Sequence, residues 1–321
     1  LLSYLVLPLL VPPAMRDKVL FSNRGIAQEI PRALNELGFV VDILNYDNTS
    51  WLPSRAYDLF IGHAGINFES ISRQLARTTV RLYFSTGIYW REFNIREARR
   101  LYELVLRRGF LLPPERTIRH SEEQANRLAD GIICLGNELA ASTYAQFRNV
   151  VPINNATYSV TWNGWQTKDC ERGRTHFLFF SGRGNVHKGL DRLLEVFAPL
   201  KDLHLYVCQH IDPEFMRVYR SELLDQKNIH LLGYVKMRSP EFERLAALCN
   251  WVILPTCAEG QPGSVIECMA HGLIPILPDV AHVDIEDWGI RLPDVDLETI
   301  RSVIVQASEM PVEQYRLRAQ R

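Results

Sequence analysis

The sequence lacks the features that most directly identify membrane, disulfide-linked, metal-binding and nucleic-acid-binding proteins. Its 321 residues contain no apolar run that approaches the roughly 18 residues of a membrane span. The six cysteines include no Cys-x-x-Cys pair and no spacing with histidine that suits a metal, so they predict reduced, buried thiols in a cytoplasmic protein. The formal net charge of −1 provides no electrostatic basis for binding nucleic acid.

Positive charge is nevertheless concentrated in one stretch. Residues 1–160 hold 18 Lys and Arg against 15 Asp and Glu, and the excess lies mainly in the Arg-rich region 91–119. The favoured interpretation is a solvated helix face on which Glu97 and Glu103 partner several arginines. The alternative is a patch for an anionic acceptor or for a peripheral contact with the inner face of a membrane, where each cation near anionic lipid adds roughly 1 kcal/mol.

Apolar runs of strand length alternate with helix-period stretches along the whole chain, which is typical of parallel βα units. Residues 1–8 have no initiating methionine or basic start, and they predict a buried strand rather than a signal peptide. Asn23 is expected to cap the first helix and Gly38 to end it. The predicted strands are 1–7, 39–46, 57–62, 80–85, 131–135, 176–182, 203–208, 229–233, 251–255 and 274–277. The predicted helices are 25–37, 67–76, 95–108, 122–129, 138–147, 189–200, 213–224, 240–249 and 297–309.

The segment 150–175 interrupts this alternation, because it is polar and ends in a charged run. We therefore predict two α/β domains, residues 1–155 and residues 156–321. Each has the pattern of a doubly wound, Rossmann-like sheet. Two such domains facing across a cleft place a ligand between the carboxyl ends of their strands.

The most informative motif contains two carboxylates eight positions apart, Glu259 and Glu267, with Gly263 and Ser264 between them. The motif follows a predicted strand and opens a predicted helix. The first turn of a helix exposes unpaired N–H groups and the positive end of the helix dipole, so it suits a phosphate. A glutamate one turn further can reach a sugar attached to that phosphate, and the glutamate in the loop can reach a second sugar. The motif predicts a nucleotide-sugar site.

Two other strand ends carry weaker signals. The loop Ser181–Gly189 places Arg183 and Lys188 at the mouth of the cleft, where two cations suit a diphosphate. It is not a P-loop, because His187 stands at the second glycine position. Taken alone, it fits a basic turn on a solvated face equally well. The turn Gly233-Tyr-Val235 can receive a nucleobase by stacking and backbone contacts, although in isolation an ordinary strand-to-helix turn explains it better.

The order of these motifs resembles the retaining GT-B glycosyltransferases of family 4, also called glycosyl transferases group 1. Residues 176–280 carry the resemblance most strongly, through Gly-Arg…Lys-Gly, a strand ending in Leu-Gly, a strand ending in Leu-Pro-Thr, Glu-Gly-x-Pro-Gly-Ser-x-x-Glu and Ala-x-Gly-x-Pro. The resemblance implies the GT-B fold and transfer of a sugar, with retention, from a UDP- or GDP-sugar to an acceptor hydroxyl. The acceptor class stays open between a glycan, a lipid-linked and a small-molecule acceptor. The final stretch, 311–321, is a candidate helix that crosses back to the first domain.

The resemblance also implies a role for each motif. Arg183 and Lys188 would bind the donor diphosphate, and Glu259 would hold hydroxyls of the transferred sugar; these three are the candidate catalytic residues. Glu267 would hold the ribose hydroxyls. The remaining candidates for donor binding are Gly182, Tyr234, Val235, Gly260, Gly263, Ser264 and Val265.

No metal or cofactor is expected, because in this family cations and a helix N-terminus do what Mg²⁺ or Mn²⁺ does in other transferases. Asp294-Val-Asp296 matches the Asp-x-Asp metal motif of those enzymes. It lies beyond the donor motifs, and two nearby acids are common by chance.

The first domain fits the family less well. Its strand 80–85 ends in Ser85-Thr86, where many members have a histidine near the sugar, and the glycine-rich loop after the first strand is replaced by a longer segment ending at Gly25. His63 is a candidate by proximity, although a lone histidine at a strand end is more often structural. The candidate residues of this domain are Asn23, Arg24, Gly25, His63, Thr86 and Gly87.

Two alternatives share the same fold. A nucleotide-sugar epimerase of GT-B architecture is disfavoured by the Glu-x7-Glu motif and by the missing histidines. A non-catalytic binding or scaffold subunit stays open because of Ser85-Thr86 and the unusual first loop.

Overall fold

A computed structural model describes residues 1–15, 23–157 and 162–321, which form two compact α/β units. The first unit comprises Leu1–Phe93 and Ile118–Tyr158, and the second comprises Asn94–Thr117 and Ser159–Arg321. Ser22, in the predicted first loop, and residues 158–161, in the predicted boundary, lie outside the described residues.

The first unit is built on a sheet of six parallel strands in the order β2-β1-β3-β4-β5-β6. Its strands are β1 (Leu2–Tyr4), β2 (Ile43–Asn45), β3 (Leu59–Gly62), β4 (Val80–Ser85), β5 (Gly131–Leu135) and β6 (Val150–Ile153). The helices described in residues 1–157 are α1 (Asn23–Glu36), α2 (Gly65–Gln74), α3 (Trp90–Arg108), α4 (Glu123–Leu128) and α5 (Glu138–Ser142), with 3₁₀ turns at Leu7–Leu10 and Pro13–Met15.

The end of α1 shows why the strand that follows it is shorter than predicted. Gly38 adopts φ +89°, its N–H donates to Asn35 O (2.9 Å), and the N–H of Phe39 donates to Leu34 O (3.0 Å). This pair of bonds closes a helix C-terminus around a left-handed glycine, as predicted. Phe39 and Val40 are left exposed, so only β2 remains of the predicted strand 39–46. Asn23 is the first described residue of α1, and its capping role stays a prediction.

The second unit repeats the design with strand order β12-β11-β10-β7-β8-β9, again all parallel. Its strands are β7 (His176–Phe180), β8 (His204–Cys208), β9 (Ile229–Leu231), β10 (Trp251–Ile253), β11 (Ile274–Pro278) and β12 (Ile290–Leu292). The helices described after residue 161 are α6 (Cys170–Gly173), α7 (Leu190–Phe197), α8 (Pro213–Val218), α9 (Arg220–Leu224), α10 (Pro240–Leu248), α11 (Gly263–Ala270), α12 (Leu297–Ser308) and α13 (Val312–Gln320), with 3₁₀ turns at Gly164–Thr167 and Asp279–Ala281.

The division of the chain differs from the predicted domains in one respect, because residues 94–117 belong to the second unit. Leu101, Leu104 and Leu112 join the hydrophobic core formed by β7, β10 and their helices. Removing these side chains from water supplies the free energy that holds the segment there, at about 25 cal/mol per Å² of apolar surface.

The arginines of α3 agree only in part with the favoured interpretation of a solvated face. Arg107 contacts the fully buried Asp191, and Arg108 donates to Glu195 Oε1 (3.1 Å) and Glu222 Oε1 (2.5 Å). Arg99, whose side chain is 80% exposed, pairs with Glu103 Oε1 (3.2 Å), as predicted for a solvated face. Much of the predicted basic patch is therefore used inside the second unit.

In the described parts of the chain, every helix is too short or too polar to cross a membrane.

The last helix has its described contacts in the second unit. In α13, Tyr315 Oη donates to Gly272 O (2.6 Å) and Arg318 Nη1 donates to Gly289 O (3.0 Å). Both acceptors belong to the second unit, and Tyr315 is buried in its core. The helix at 311–321 therefore packs on the second unit.

Candidate functional site

The loops that follow β7 and β10 are bonded to each other at the carboxyl edge of the second sheet. These strands are neighbours, and the N–H of Cys257 donates to His187 O (3.0 Å) while His187 Nε2 donates to Ala258 O (2.7 Å). Gly189 adopts φ +83°, and a Cβ at this position would lie 2.3 Å from Pro255 O. Only glycine fits there, which fixes the two loops in one arrangement.

This arrangement brings two predicted catalytic residues together. Lys188 Nζ forms an ion pair with Glu259 Oε1, each residue is only 7% exposed, and Thr256 Oγ1 donates to the same carboxylate oxygen (3.0 Å). Burial lowers the pKa of Lys188, and the nearby Glu259 carboxylate offsets part of that effect. Burial by itself would raise the pKa of Glu259, but the charges of Lys188 and His187 outweigh it and lower the pKa. The lowered pKa keeps the Glu259 carboxylate ionised at neutral pH.

His187 adds a second buried positive charge. Burial alone would lower its pKa, but contacts with Cys257 Sγ (3.5 Å) and Glu97 Oε1 (3.6 Å) raise the pKa to about 9. The imidazolium can then donate from both ring nitrogens. From the sequence, His187 served only to show that this loop is not a P-loop.

The loop Ser181–Gly189 is shaped by side chains from residues 94–117. Glu115 accepts from the backbone N–H groups of Gly184 (3.1 Å) and Asn185 (2.7 Å). The side chain of Arg116 packs on the loop, where a Cβ at Gly184 would lie 2.7 Å from its Cγ. The positive charge of Arg116 acts on both Lys188 and Glu259. Sequence reasoning missed these contacts because no local pattern connects the two segments.

The two exposed members of this loop are Gly182 and Arg183. The carbonyl of Gly182 accepts a hydrogen bond from Gln209 Nε2, which holds the start of the loop, while the side chain of Arg183 lies in solvent. The second predicted cation is therefore at the same strand end as Lys188 but outside the buried ion pair.

The N-terminus of α11 is open. Its N-cap is Pro262, which has no capping side chain, and the half-buried Gly263 and Ser264 form its first turn. Gly260 and Val265 are buried, and the N–H of Val265 donates to Pro262 O (2.9 Å), so the donors that this turn can offer a ligand are those of Gly263 and Ser264. An uncapped helix start of this kind suits an anion.

One turn into α11, Glu267 is held by an arginine that the sequence analysis did not identify. Arg238 donates from Nε to Oε1 (2.5 Å) and from Nη2 to Oε2 (3.1 Å), a two-point contact that fixes the carboxylate plane. Arg238 follows the Gly233-Tyr-Val235 turn at the same sheet edge. A cation just after a strand end is a pattern that could have identified it as a site residue from the sequence. Tyr234 is 79% exposed and available for stacking, whereas Val235 is 3% exposed and packs in the core. Val235 therefore cannot line a base pocket with its side chain.

The candidate site residues of the first unit lie at two places in its structure. His63 follows β3, its Nδ1 lies 2.9 Å from Phe84 O, and burial lowers its pKa, so the ring is neutral. Thr86 and Gly87 follow the neighbouring β4, and the carbonyl of Gly87 accepts from Ser85 Oγ (2.8 Å). These three candidates share one sheet edge. Asn23, Arg24 and Gly25 lie at the start of α1, where the first two are exposed and Gly25 is buried.

The Asp-x-Asp motif has a structural use. Asp296 Oδ1 caps α12 by accepting from the N–H of Thr299 (2.9 Å), and Asp294 Oδ1 accepts from the N–H of Asp296 (3.1 Å). Within residues 1–15, 23–157 and 162–321, His, Cys, Asp and Glu form no group of three or more that suits a metal ion.

Comparison with solved structures places the fold among the GT-B glycosyltransferases, which confirms the predicted fold class. TarM from S. aureus matches with a TM-score of 0.57 and 14% identity over 82% of this chain and 51% of that chain. A UDP-forming trehalose-phosphate synthase from Burkholderia xenovorans matches with a TM-score of 0.58 and 14% identity, over 92% of this chain and 72% of that chain. HepE from Anabaena matches with a TM-score of 0.57 and 12% identity, over 91% of this chain and 82% of that chain. The chain thus spans about half the length of TarM, and at these identities the likeness establishes the fold alone.

The more particular identification comes from the second unit. Residues 175–307 match the family model described as Glycosyl transferases group 1. This segment includes every site residue described above for the second unit except those in residues 94–117, and the match supports the glycosyltransferase class predicted from the sequence. No curated protein sequence matches the chain.

Proposed function

We propose that this chain transfers a sugar from a nucleoside-diphosphate sugar to an acceptor hydroxyl, with retention at the anomeric carbon and without a metal. The observation that carries the proposal is the buried Lys188–Glu259 ion pair, which lies at the sheet edge that also presents Arg238–Glu267 and the open N-terminus of α11. A cation, an uncapped helix start and two carboxylates are the groups that a diphosphate and two sugars require.

The diphosphate binds to Lys188, to Arg183 and to the N–H groups of Gly263 and Ser264. Transfer breaks the bond between the anomeric carbon and the phosphate oxygen and forms a bond from the acceptor oxygen to the same face of that carbon. The acceptor proton passes to the leaving phosphate. Negative charge develops on the leaving diphosphate, and fixed cations and helix N–H groups stabilise it without reorganisation, which is the largest contribution in sites of this type.

The carboxylates bind the two sugars. Glu259 accepts from hydroxyls of the transferred sugar while Lys188 turns its remaining N–H donors to the phosphate. Glu267 accepts from the ribose hydroxyls, and the two-point contact with Arg238 keeps its oxygens in place. The exposed ring of Tyr234 stacks on the base. Glu259 is assigned to binding rather than to a covalent intermediate: Lys188 and Thr256 hold its Oε1, and its Oε2 accepts from the sugar hydroxyls.

Uridine is the base to test first, because the structures of HepE and TarM that match this fold contain UDP. The acceptor, a glycan, a lipid-linked or a small molecule, is assigned to the edge of the first unit that carries His63 and Thr86.

The proposal is tested by a thermal-shift series with UDP-, GDP- and ADP-sugars, followed by measurement of nucleotide release with and without acceptors. One donor class is expected to raise the melting temperature by mass action, and this donor alone should be hydrolysed slowly. Isomerisation of the sugar without acceptor would instead indicate an epimerase. Donor binding with neither hydrolysis nor transfer would indicate a binding subunit.

A further inference from the structure

A row of apolar side chains runs along the outer side of α3. Ile95, Ala98, Tyr102 and Val105 follow one another at intervals of three, four and three residues, which is the spacing of the seam between two paired helices. The first three are exposed, whereas Leu104, on the opposite side of the helix, lies in the core of the second unit. The helix therefore has two apolar sides, one packed on its unit and one facing solvent.

The chain after α3 turns back along the helix and deepens the outer side into a groove. Gly109 ends α3 with φ +72°, and the N–H of Arg116 donates to Glu97 Oε1 (2.7 Å), near the start of the helix. A groove of about 420 Å³ lies between residues 111–114 and four residues of α3: Ala98, Leu101, Tyr102 and Val105. Every lining residue is apolar, and two are prolines without an N–H group. An occupant must therefore pack apolar side chains here.

The exposed apolar surface is as large as that of a stable interface. Five large residues on or beside the groove are more than half exposed: Ile95, Tyr102, Leu106, Phe110 and Leu111. At roughly 200 Å² for a large side chain, they present on the order of 600 Å² to solvent. The largest patch on a typical monomer is roughly 300–600 Å², whereas each partner in a standard interface buries about 800 Å², of which about 60% is apolar. These residues and the groove form the α3 face.

The α3 face is complementary to itself. It carries protruding side chains, Leu106 and Phe110, beside an apolar groove, and a surface with both can pack against a copy of itself about a two-fold axis. Arg99 and Glu103 flank the seam with opposite charges four positions apart. An antiparallel pairing about an axis near residue 101 places each copy's Arg99 beside the other copy's Glu103. The face therefore matches itself in charge as well as in shape.

We propose that the chain forms a homodimer in which the α3 faces of two copies pack together, with their α3 helices antiparallel about a two-fold axis. The same segment carries Glu115, which accepts from the N–H groups of Gly184 and Asn185, so the partner copy supports the segment that shapes the donor loop. The inference does not depend on the proposed transfer reaction.

Sedimentation equilibrium of the full chain at protein concentrations from about 1 to 100 μM tests the proposal. The average mass is expected to rise from 37.0 kDa toward twice that value. Tyr102→Glu and Leu106→Glu should each raise the dissociation constant of the dimer at least about 30-fold, because each places a charge at the centre of the interface. The matched control is Leu317→Glu on α13, since Leu317 is 66% exposed against 68% for Leu106, and it should dimerise as wild type does.

Two results would overturn the inference: a wild type that stays at 37.0 kDa throughout, or a dimer that Leu106→Glu weakens no more than Leu317→Glu does. Melting temperatures of the variants show that each has folded. Co-sedimentation with phosphatidylglycerol vesicles adds a third arm. A monomeric wild type that binds vesicles, with binding lost in Leu106→Glu, would assign the α3 face to a lipid surface and refute the dimer.

The same samples keep this inference separate from the proposed function. Leu106 lies outside the donor-binding residues, so the thermal shift with a UDP-sugar should be the same in Leu106→Glu and in wild type. Loss of that shift in wild type counts against the proposed function and leaves the dimer unaffected. Loss of the dimer in wild type counts only against the α3 face.

Discussion

The two units share one design, six parallel strands with their loops at the carboxyl edge, but they place different chemistry on that edge. In the second unit the strand ends carry the buried ion pairs Lys188–Glu259 and Arg238–Glu267. In the first unit they carry a neutral His63 and a hydrogen bond between the hydroxyls of Ser85 and Tyr144. A diphosphate needs fixed charges, whereas a hydroxyl acceptor needs shape and neutral partners. This difference explains why the sequence motifs indicate the donor more specifically than the acceptor.

Breaking the charged edge should have the largest effect. Lys188→Met is expected to lower kcat by about 100-fold or more, because it removes a cation that stabilises the leaving diphosphate. It also leaves the buried Glu259 without its ion-pair partner, which costs about 3–5 kcal/mol of folding stability. The double variant Lys188→Met/Glu259→Gln removes that buried charge, so its melting temperature should recover while its turnover stays low. Recovery of turnover together with stability would show that the pair is only structural.

The second ion pair should affect donor binding more than turnover. Arg238→Gln is expected to raise KM for the donor by about tenfold, since Glu267 loses the two-point contact that orients it toward the ribose. The exposed Arg244→Gln on α10 serves as the matched control and should behave as wild type. A fall in kcat with an unchanged KM would contradict the ribose assignment.

The neutral edge should give a smaller and different effect. His63→Asn is expected to raise KM for the acceptor a few-fold and to leave hydrolysis of the donor alone unchanged, because the ring is uncharged and serves only to position. His120→Asn, at an exposed residue of the same unit, is the control. Equal loss of donor hydrolysis in His63→Asn would remove the distinction between the two edges.

Acid should weaken the second unit through a group far from the site. Burial and the neighbouring His204 lower the pKa of His176 to about 4. Since the unfolded histidine titrates near 6.5, the unfolded state binds more protons between these values, and stability falls as the pH drops from about 6.5 toward 4. His176→Gln should flatten the dependence of melting temperature on pH in this window, and His210→Gln should not. An unchanged slope in His176→Gln would refute the assignment.

Local rules accounted for the parts of the fold that short stretches of chain determine. Gly38 ends α1 because the left-handed turn needs only its immediate neighbours, and the motif Glu259–Glu267 could be read as loop and helix start from adjacent residues. The strand β6 was missed because Pro152 argues against a strand interior; it is tolerated at the edge of the sheet, where a missing N–H breaks no ladder on the outer side.

Contacts between distant segments could not be predicted in the same way. Arg238 and Glu267 are 29 positions apart, and Glu115 meets Asn185 across 70. Nothing in the local pattern around α3 indicates that Leu104 packs in the second unit rather than the first, because an apolar stripe shows that a helix is covered but not what covers it. The residues that shape the site from a distance are therefore the ones that only the structure reveals.

The buried pair of Lys188 and Glu259 has a consequence for the end of the proposed reaction. In the free chain the ammonium already has a carboxylate partner, so a departing diphosphate competes with a group that is always present. Once the transferred sugar has left, Glu259 has no hydroxyl to hold and Lys188 remains its partner. In the proposed reaction the Glu259 carboxylate therefore competes with the nucleoside diphosphate product for Lys188, and this competition favours product release.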